Sequence, residues 1–221
     1  MHQKKLEDTY RHKGLRKKLM EEIAAKGIRD RRVLGAMNTV PRHYFFDSSF
    51  LEFAYADKPF PIGSGQTISQ PYTVAFQTEL LGLEAGMKVL EVGTGSGYQA
   101  AILAELGCKV FTIERQRLLY DRTREFLPRL GYAAIKTFYG DGYKGLPAFA
   151  PFDGIIVTAG APYVPDELLQ QLKPGAALVI PVGEEIQEMK RIIRVSDKEF
   201  REESHGNFRF VPLLKSKAKD E

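Results

Sequence analysis

The sequence lacks the features that whole classes of protein depend on. It holds a single cysteine, Cys108, so no disulfide can form within the chain, and this is typical of a reducing compartment. No run of residues approaches the roughly 20 apolar positions that a transmembrane helix needs. The first residues are charged and lack the apolar core of a secretion signal. We therefore expect a cytoplasmic protein without a membrane partner.

Residues for metal-dependent or base-assisted catalysis are also scarce. The 4 histidines are scattered, and we find neither a convincing histidine–aspartate pair nor the spacing of a metal site. The net charge of +4 comes largely from the first 18 residues and is more typical of a solvated helix than of a nucleic-acid surface. With 221 residues, 43% of them hydrophobic, the chain can bury one large core. We predict a monomer that holds no metal and binds no nucleic acid.

From residue 88 onward, short apolar segments alternate with helical ones. The predicted strands are residues 88–92, 109–114, 135–139, 152–160, 176–183, 186–195 and 206–212. The predicted helices are residues 5–26, 30–37, 71–81, 98–106, 115–130 and 165–172. Such alternation predicts an α/β fold with a doubly wound, mostly parallel seven-stranded sheet and helices on both faces. We expect a single domain over 1–221, in which a helical or irregular extension (1–63) packs on a core (64–213) that precedes a tail (214–221).

The first turn of this alternating part reads EVGTGSGY, residues 91–98. Gly93, Gly95 and Gly97 allow tight turning and a close approach of the backbone to a ligand at the start of a helix. A dinucleotide fingerprint, G-x-G-x-x-G, would place its last glycine where this chain has Tyr98. Glu91 precedes the glycines and suits a ligand with an ammonium group. S-adenosylmethionine carries both an ammonium and a sulfonium.

Two further acidic residues follow neighbouring strands. Glu114 ends the second predicted strand, where a carboxylate can accept both hydroxyls of a ribose. Because NAD and S-adenosylmethionine share that ribose, Glu114 does not distinguish between them. Asp141 lies between two glycines after the third predicted strand. It is a candidate acceptor for the adenine amino group, although a turn aspartate is an equally ordinary interpretation.

Ahead of the sheet, residues 64–72 read SGQTISQPY and place two hydroxyl groups, those of Thr67 and Ser69, near a proline. The segment is either part of a ligand site or a loop that caps the next helix, with Ser69 as the N-cap before Pro71. The residues by themselves leave both interpretations open.

Six segments resemble, in order and rough spacing, the protein-L-isoaspartate (D-aspartate) O-methyltransferases. They are QTISQPY (66–72), EVGTGSGY (91–98), GDG (140–142), PFDGIIVTAGAP (151–162), LKPGAALVIPVG (172–183) and FRFVPL (208–213). The resemblance extends from Val40 to Leu213. EVGTGSGY alone indicates only a class I S-adenosylmethionine-dependent methyltransferase with a Rossmann-like fold, whereas QTISQP together with RFVPL is far narrower.

The resemblance implies methyl esterification of the free carboxyl of L-isoaspartyl residues in damaged proteins, with D-aspartyl residues left open as further substrates. The ester then closes to a succinimide unaided, and hydrolysis returns some normal aspartate. Ser69 is implied as the active-site residue, and S-adenosyl-L-methionine as the cofactor. The cofactor-binding candidates are Thr67, Ile68, Gln70, Tyr72, Glu91, Gly93, Thr94, Gly95, Gly97, Glu114, Asp141 and Gly142. The substrate-binding candidates are Ser69, Val211, Pro212 and Leu213, the last three through backbone atoms.

This acceptor accounts for the missing catalytic base. A carboxylate has an ordinary pKa near ~4 and is already ionised at pH 7, so alignment and a few hydrogen-bond donors are what the chain must supply. Two alternatives stay open at this point. One is a methyltransferase of the same fold that acts on a small molecule or RNA, and the other is a methyltransferase-like domain that binds a partner without turnover.

Overall fold

The computed structural model describes residues 7–218 and is built around one seven-stranded sheet. Its order is β5-β4-β3-β6-β7-β8-β9, and β1 and β2 form a separate antiparallel pair. In chain order the strands are β1 (Phe60–Gly63), β2 (Gln66–Ile68), β3 (Lys88–Val92), β4 (Lys109–Glu114), β5 (Lys136–Tyr139), β6 (Phe152–Val157), β7 (Leu172–Val182), β8 (Gln187–Arg194) and β9 (Phe200–Phe208).

The helices begin and end where local sequence signals place them. The α-helices are α1 (Tyr10–Ala25), α2 (Arg31–Thr39), α3 (Pro71–Leu81), α4 (Tyr98–Glu105), α5 (Arg117–Arg129) and α6 (Asp166–Leu169). Shorter 3₁₀ helices span Arg42–Phe45, Ser48–Phe53, Gly142–Lys144 and Pro147–Phe149. Asp30 caps α2 by accepting from the Arg32 backbone amide at 2.8 Å. Within residues 7–218, no helix has the length and apolar character to span a membrane.

The order of the strands determines where a ligand can bind. Strands β5, β4, β3, β6 and β7 are parallel, while β8 and β9 are added antiparallel at one edge. The chain moves outward from β3 through β4 to β5 and then returns to β6 on the other side of β3. This reversal is the topological switch point of a doubly wound sheet, where ligands bind beyond the carboxyl ends of the strands. The predicted fold class is confirmed.

Both faces of the central strands are covered. Leu90 in β3 and Ile155 in β6 have no exposed surface, as expected for parallel strands between two helical layers. One hydrophobic cluster joins Ile23 of α1 and Val33 of α2 to Ile102 of α4 and to residues of α3 and α5. The residues that precede β1 therefore pack directly on the helices that cover the sheet.

Buried polar contacts add to this attachment of the N-terminal helices. The Arg16 guanidinium donates to both carboxylate oxygens of Asp8, at 3.0 and 2.9 Å, and to the Tyr55 hydroxyl at 3.0 Å. Its Nε also donates to the Asn38 carbonyl at 2.6 Å. Because Arg16 is only 5% exposed, these bonds hold α1 to the segment that follows α2 in a largely dry environment.

Some predicted boundaries were wrong. The last strand was predicted at 206–212 but is β9, Phe200–Phe208, and residues 209–212 continue beyond it as irregular chain with one bridge, between Gly160 and Pro212. The helix predicted at 165–172 lasts for only four residues, because Leu172 already belongs to β7. The first helix begins at Tyr10. Residues 5 and 6 of that prediction, and 219–221 of the predicted tail, lie outside the described residues.

Candidate active site

A cleft lies at the carboxyl ends of β3, β4 and β6, on the switch point. Twelve of the predicted residues line it: Thr67, Ile68, Ser69, Glu91, Gly93, Thr94, Gly95, Glu114, Gly142, Val211, Pro212 and Leu213. Four do not: Gln70, Tyr72, Gly97 and Asp141. Residues 67–69, 91–95 and 211–213, which are far apart in the sequence, thus line the same cleft. A single site built from these three motifs requires this arrangement.

The glycine turn between β3 and α4 forms the floor of the cleft. Gly93 has a φ of 98°, and a Cβ built there would lie 2.5 Å from Oγ1 of Thr158. That hydroxyl donates to the Gly93 carbonyl at 2.7 Å and so fastens the turn to the end of β6. Gly97 has a φ of 85°, and its Cβ would lie 2.8 Å from Cγ2 of Thr123 on α5. Both positions therefore require glycine for conformation and for space.

Glu91 is the most unusual charged group in the cleft. It has no exposed surface, and neither carboxylate oxygen makes a hydrogen bond of normal geometry with residues 7–218. Burial raises the pKa of Glu91 to about 8, while the nearby Thr112 hydroxyl opposes the rise and the charge of Glu114 adds to it. A buried carboxylate without a partner is costly. A cationic ligand group in the cleft would supply that partner, so the residue fits the ammonium of S-adenosylmethionine.

Glu114 is held in a defined orientation at the end of β4. Its two oxygens accept from the backbone amides of Gly95, at 2.9 Å, and Gln116, at 2.8 Å. Burial raises its pKa, although these amide bonds act in the opposite direction. Each carboxylate oxygen can accept more than one hydrogen bond, so the remaining lone pairs are available to a ribose diol. The bond to Gly95 also ties this acid to the glycine turn.

Ser69 lies between the end of β2 and the start of α3, on the wall of the cleft. Its hydroxyl makes no hydrogen bond with residues 7–218, while its backbone carbonyl accepts from Nη2 of Arg42 at 2.9 Å. The N-cap of α3 is Gln70, and no side chain caps the helix. The alternative interpretation of Ser69 as an N-cap is therefore wrong, and its hydroxyl is free to donate to a ligand.

Residues 211–214 form the opposite wall. The Gly160 amide donates to the Val211 carbonyl at 2.8 Å, and the Leu213 amide donates to the Gly160 carbonyl at 2.7 Å. In extended chain, backbone groups alternate between sides, so the Pro212 carbonyl and the Leu214 amide point away from Gly160. These two backbone groups are candidates to pair with an extended peptide.

Asp141 is placed differently from the prediction. Its oxygens accept from the backbone amides of Tyr143, at 3.0 Å, and Ser216, at 2.8 Å, and it lines a neighbouring depression and not the cleft. Its contact with an adenine amino group stays a prediction. Gly142 does line the cleft, and a Cβ there would lie 2.6 Å from Cγ1 of Val92.

Several cleft residues were missed by the sequence analysis. Thr158 follows β6 at the same sheet edge as Glu91, so its position after a strand was a usable signal. Gln99 is 7% exposed, and its Oε1 has no partner in residues 7–218, although its Nε2 donates to Thr78. It adds a second buried acceptor to the cleft, and nothing in the local sequence distinguishes it from an ordinary helix residue.

This sheet, with an acidic residue ahead of a glycine turn at its switch point, defines a class I S-adenosylmethionine-dependent methyltransferase. Comparison with known proteins narrows the class. The chain belongs to the protein-L-isoaspartate(D-aspartate) O-methyltransferase family, because a family model of that description matches residues 14–218.

Individual relatives are similar to this chain in sequence over nearly its whole length. A protein-L-isoaspartate O-methyltransferase of Christiangramia forsetii is 60% identical over 212 residues, covering 96% of this chain and 100% of the relative. One of Flavobacterium johnsoniae is 55% identical with the same coverage. Among solved structures, a Plasmodium falciparum beta-aspartate methyltransferase in complex with S-adenosyl-L-homocysteine superposes with a TM-score of 0.79 at 26% identity, covering 92% of this chain and 98% of that one.

Proposed function

We infer that this protein transfers a methyl group from S-adenosyl-L-methionine to the free carboxyl of L-isoaspartyl residues in damaged proteins and peptides. The observation that carries the inference is the shared cleft of Glu91 and Ser69, a buried unpartnered acid and a free hydroxyl, in a chain of this family. The methyl ester leads to a succinimide and so starts the return to normal aspartate.

The acidic side of the cleft is suited to hold the cofactor. Glu91 would accept from its ammonium group, and Glu114 would accept from the ribose hydroxyls while its own orientation is fixed by two backbone amides. The glycine turn lets the backbone approach closely. When bound, S-adenosylmethionine supplies an electrophilic methyl group on a positively charged sulfur.

The other side of the cleft is suited to the acceptor. We assign to Ser69 the donation of a hydrogen bond to one oxygen of the isoaspartyl carboxylate, which is ionised at neutral pH and needs no base. The Pro212 carbonyl and the Leu214 amide would pair with the peptide backbone. Pairing of this kind recognises the extended peptide backbone and not the side chains, so peptides of many sequences would be accepted.

Replacing Ser69 by alanine tests the assignment. We expect a fall in kcat of about 10-fold to 100-fold, the cost of losing a hydrogen bond to a charged group, with the Kd of S-adenosylhomocysteine unchanged. The measurement is a steady-state assay on an isoaspartyl peptide, with calorimetry for the Kd. The matched control is Ser49→Ala, an exposed serine that does not line the cleft. An unchanged kcat in Ser69→Ala would remove this residue from the mechanism.

The substrate itself is tested with a pair of peptides of one sequence, one with L-isoaspartate and one with normal aspartate. We expect methylation of the isoaspartyl peptide alone. Equal methylation of both, or of neither, would contradict the proposed function. A third peptide with D-aspartate decides whether that residue is also a substrate.

We also propose that the protein works as a monomer in the cytoplasm, as a single domain with boundaries near residues 63 and 213. The supporting observation is that one chain provides both the acidic and the hydroxyl side of the cleft. Light scattering at assay concentrations measures the oligomeric state, and a stable dimer would contradict it. Cell fractionation tests the location.

A further inference from the structure

The Ser69 segment, residues 66–72, is held in place largely by contacts with residues from other parts of the chain. Ser69 and Gln70 lie between β2 and α3 and belong to neither. The hairpin before them contains only seven strand residues, so it constrains the segment weakly. Two buried charged side chains from the N-terminal part of the chain, Arg42 and Asp57, contact the segment, and neither lines the cleft.

Arg42 connects the Ser69 segment to the helix that follows the glycine turn. Its Nη2 donates to the Ser69 carbonyl at 2.9 Å, and its guanidinium lies over the ring of Tyr98, the first residue of α4, at 4.7 Å from the centroid. Phe46 covers it at 5.3 Å. The side chain is completely buried, and its Nε and Nη1 have no hydrogen-bond partner in residues 7–218. The buried cation is therefore held by the Ser69 carbonyl and by two aromatic rings.

Asp57 holds the other end of the segment. Its Oδ1 accepts from the Tyr72 backbone amide at 2.8 Å, and its Oδ2 accepts from Nε2 of Gln70 at 3.0 Å. The same Oδ2 accepts from the ammonium of Lys26, the residue that follows α1, at 2.7 Å. The Asp57 side chain is only 3% exposed, so these bonds act in a dry environment where charged hydrogen bonds are strong.

The two charges also support each other. Burial lowers the pKa of Arg42 to about 10, which leaves the guanidinium protonated at neutral pH, and the negative charge of Asp57 favours that protonated state. Arg42 thus binds the Ser69 carbonyl, and Asp57 binds the two residues Gln70 and Tyr72 that follow it. Together the two side chains restrain the backbone on both sides of the Ser69 side chain.

We propose that Arg42 and Asp57 are positioning residues for methyl transfer. They restrain the backbone of Ser69 against α4 and the end of α1, so that its hydroxyl can hold the acceptor carboxylate in position. The proposal rests on the proposed function. Because methyl transfer depends on alignment, a shift of about 1 Å in Ser69 would lower the rate by about 100-fold. The acidic cofactor residues lie on the sheet edge and would be unaffected.

The experiment compares three variants with one control. Asp57→Asn removes the charge but keeps the shape, Arg42→Lys keeps the charge but loses the planar fork, and Lys26→Met removes the half-exposed partner of Asp57. The control is Glu22→Gln, because Glu22 also binds the Lys26 ammonium, at 2.7 Å, but does not reach the Ser69 segment. Rates are expressed per S-adenosylhomocysteine-binding site, so any unfolded fraction does not count.

We expect kcat per binding site to fall by about 10-fold to 100-fold in Asp57→Asn and Arg42→Lys, less in Lys26→Met, and not in Glu22→Gln. The Kd of S-adenosylhomocysteine should change much less than kcat, because Glu91, Glu114 and the glycine turn are held by the sheet, and Thr67 and Ile68 belong to β2, which precedes Ser69. A wild-type kcat per site in both Asp57→Asn and Arg42→Lys would overturn the positioning role, as would losses explained entirely by a weaker Kd. If the unmodified protein does not methylate the isoaspartyl peptide, the proposed function fails instead, so the two failures are distinguishable.

Discussion

Replacing Glu91 by glutamine should make the unliganded protein more stable while weakening its affinity for the cofactor. Burial raises the pKa of Glu91 from 4.5 to about 8. The folded protein therefore holds more protons than the unfolded chain between these two values, and its stability falls as pH rises through that window. At pH 7, about 2.5 units above 4.5, the loss amounts to about 3 kcal/mol at about 1.4 kcal/mol per unit.

Glutamine does not ionise, so Glu91→Gln should recover this free energy at neutral pH. For a chain of this size, about 3 kcal/mol corresponds to a rise in Tm of about 6–12 °C. At pH 5 the difference should shrink to less than about 1 kcal/mol, because pH 5 is only about half a unit above the unfolded pKa of 4.5, so little proton uptake separates the two states. The assay is thermal unfolding without ligand at both pH values, with Glu125→Gln, on an exposed position of α5, as the control.

Cofactor binding should become weaker in Glu91→Gln, although the unliganded protein becomes more stable. With a pKa of about 8, about one-tenth of Glu91 is ionised at pH 7 and about one-hundredth at pH 6, so the Kd of S-adenosylhomocysteine should rise about tenfold over that unit. In Glu91→Gln the Kd should be larger and should lose this pH dependence. 5′-Methylthioadenosine keeps the ribose but has no ammonium, so its Kd should be the same in both proteins. A Tm unchanged at pH 7, or an equal loss for both ligands, would refute the role of Glu91 as the ammonium acceptor.

Two further substitutions test other parts of the cleft. Glu114→Gln should raise the Kd of both ligands by about 10-fold to 100-fold, because an amide cannot accept from both backbone amides and the ribose; calorimetry that shows a loss for S-adenosylhomocysteine alone would contradict the ribose role. Gly93→Ala should be destabilising by well over 1 kcal/mol more than Gly175→Ala in urea unfolding, since both glycines have positive φ but only the Cβ at 93 would meet the Thr158 hydroxyl, at 2.5 Å. Equal losses in the two variants would show that strain, and not the clash, determines the cost.

The parts of the fold and site that could be predicted are those encoded in short stretches of sequence. The glycine turn is local: spaced glycines between a strand and a helix, with Glu91 ahead of them, determine both the backbone path and the sheet edge on which it lies. Glu114 follows from the same rule at the next strand. The QTISQP segment could be assigned only through family resemblance, because its own residues fit a helix cap equally well.

Long-range contacts could not be predicted from the sequence. Arg42 lies 27 residues from Ser69, and its burial depends on packing against Tyr98, which no local pattern reveals. The last strand was misplaced for a related reason. The interior of β9 is polar, with no apolar side chain between Phe200 and Phe208, so its pattern does not indicate a strand. Its pairing with β8 stabilises it instead, since Arg191 in β8 donates to Glu203 across the pair at 2.9 Å. The apolar residues Phe208, Phe210 and Val211 led to the prediction of a strand at 206–212.

The charges around the cleft are separated in a way that suits a cationic donor and an anionic acceptor. The buried acids of the cleft, Glu91 and Glu114, lie on the sheet edge, where a positive ligand group lowers the cost of their burial. The chain from 57 to 72 has one acidic residue, Asp57, and its charge is turned toward the Lys26 ammonium. A carboxylate that approaches Ser69 therefore meets a hydroxyl backed by the buried Arg42 cation and no unpaired acid on that wall. Because this separation depends on Lys26, the residue that caps the end of α1, the N-terminal helix contributes to the electrostatics of a site that it does not touch.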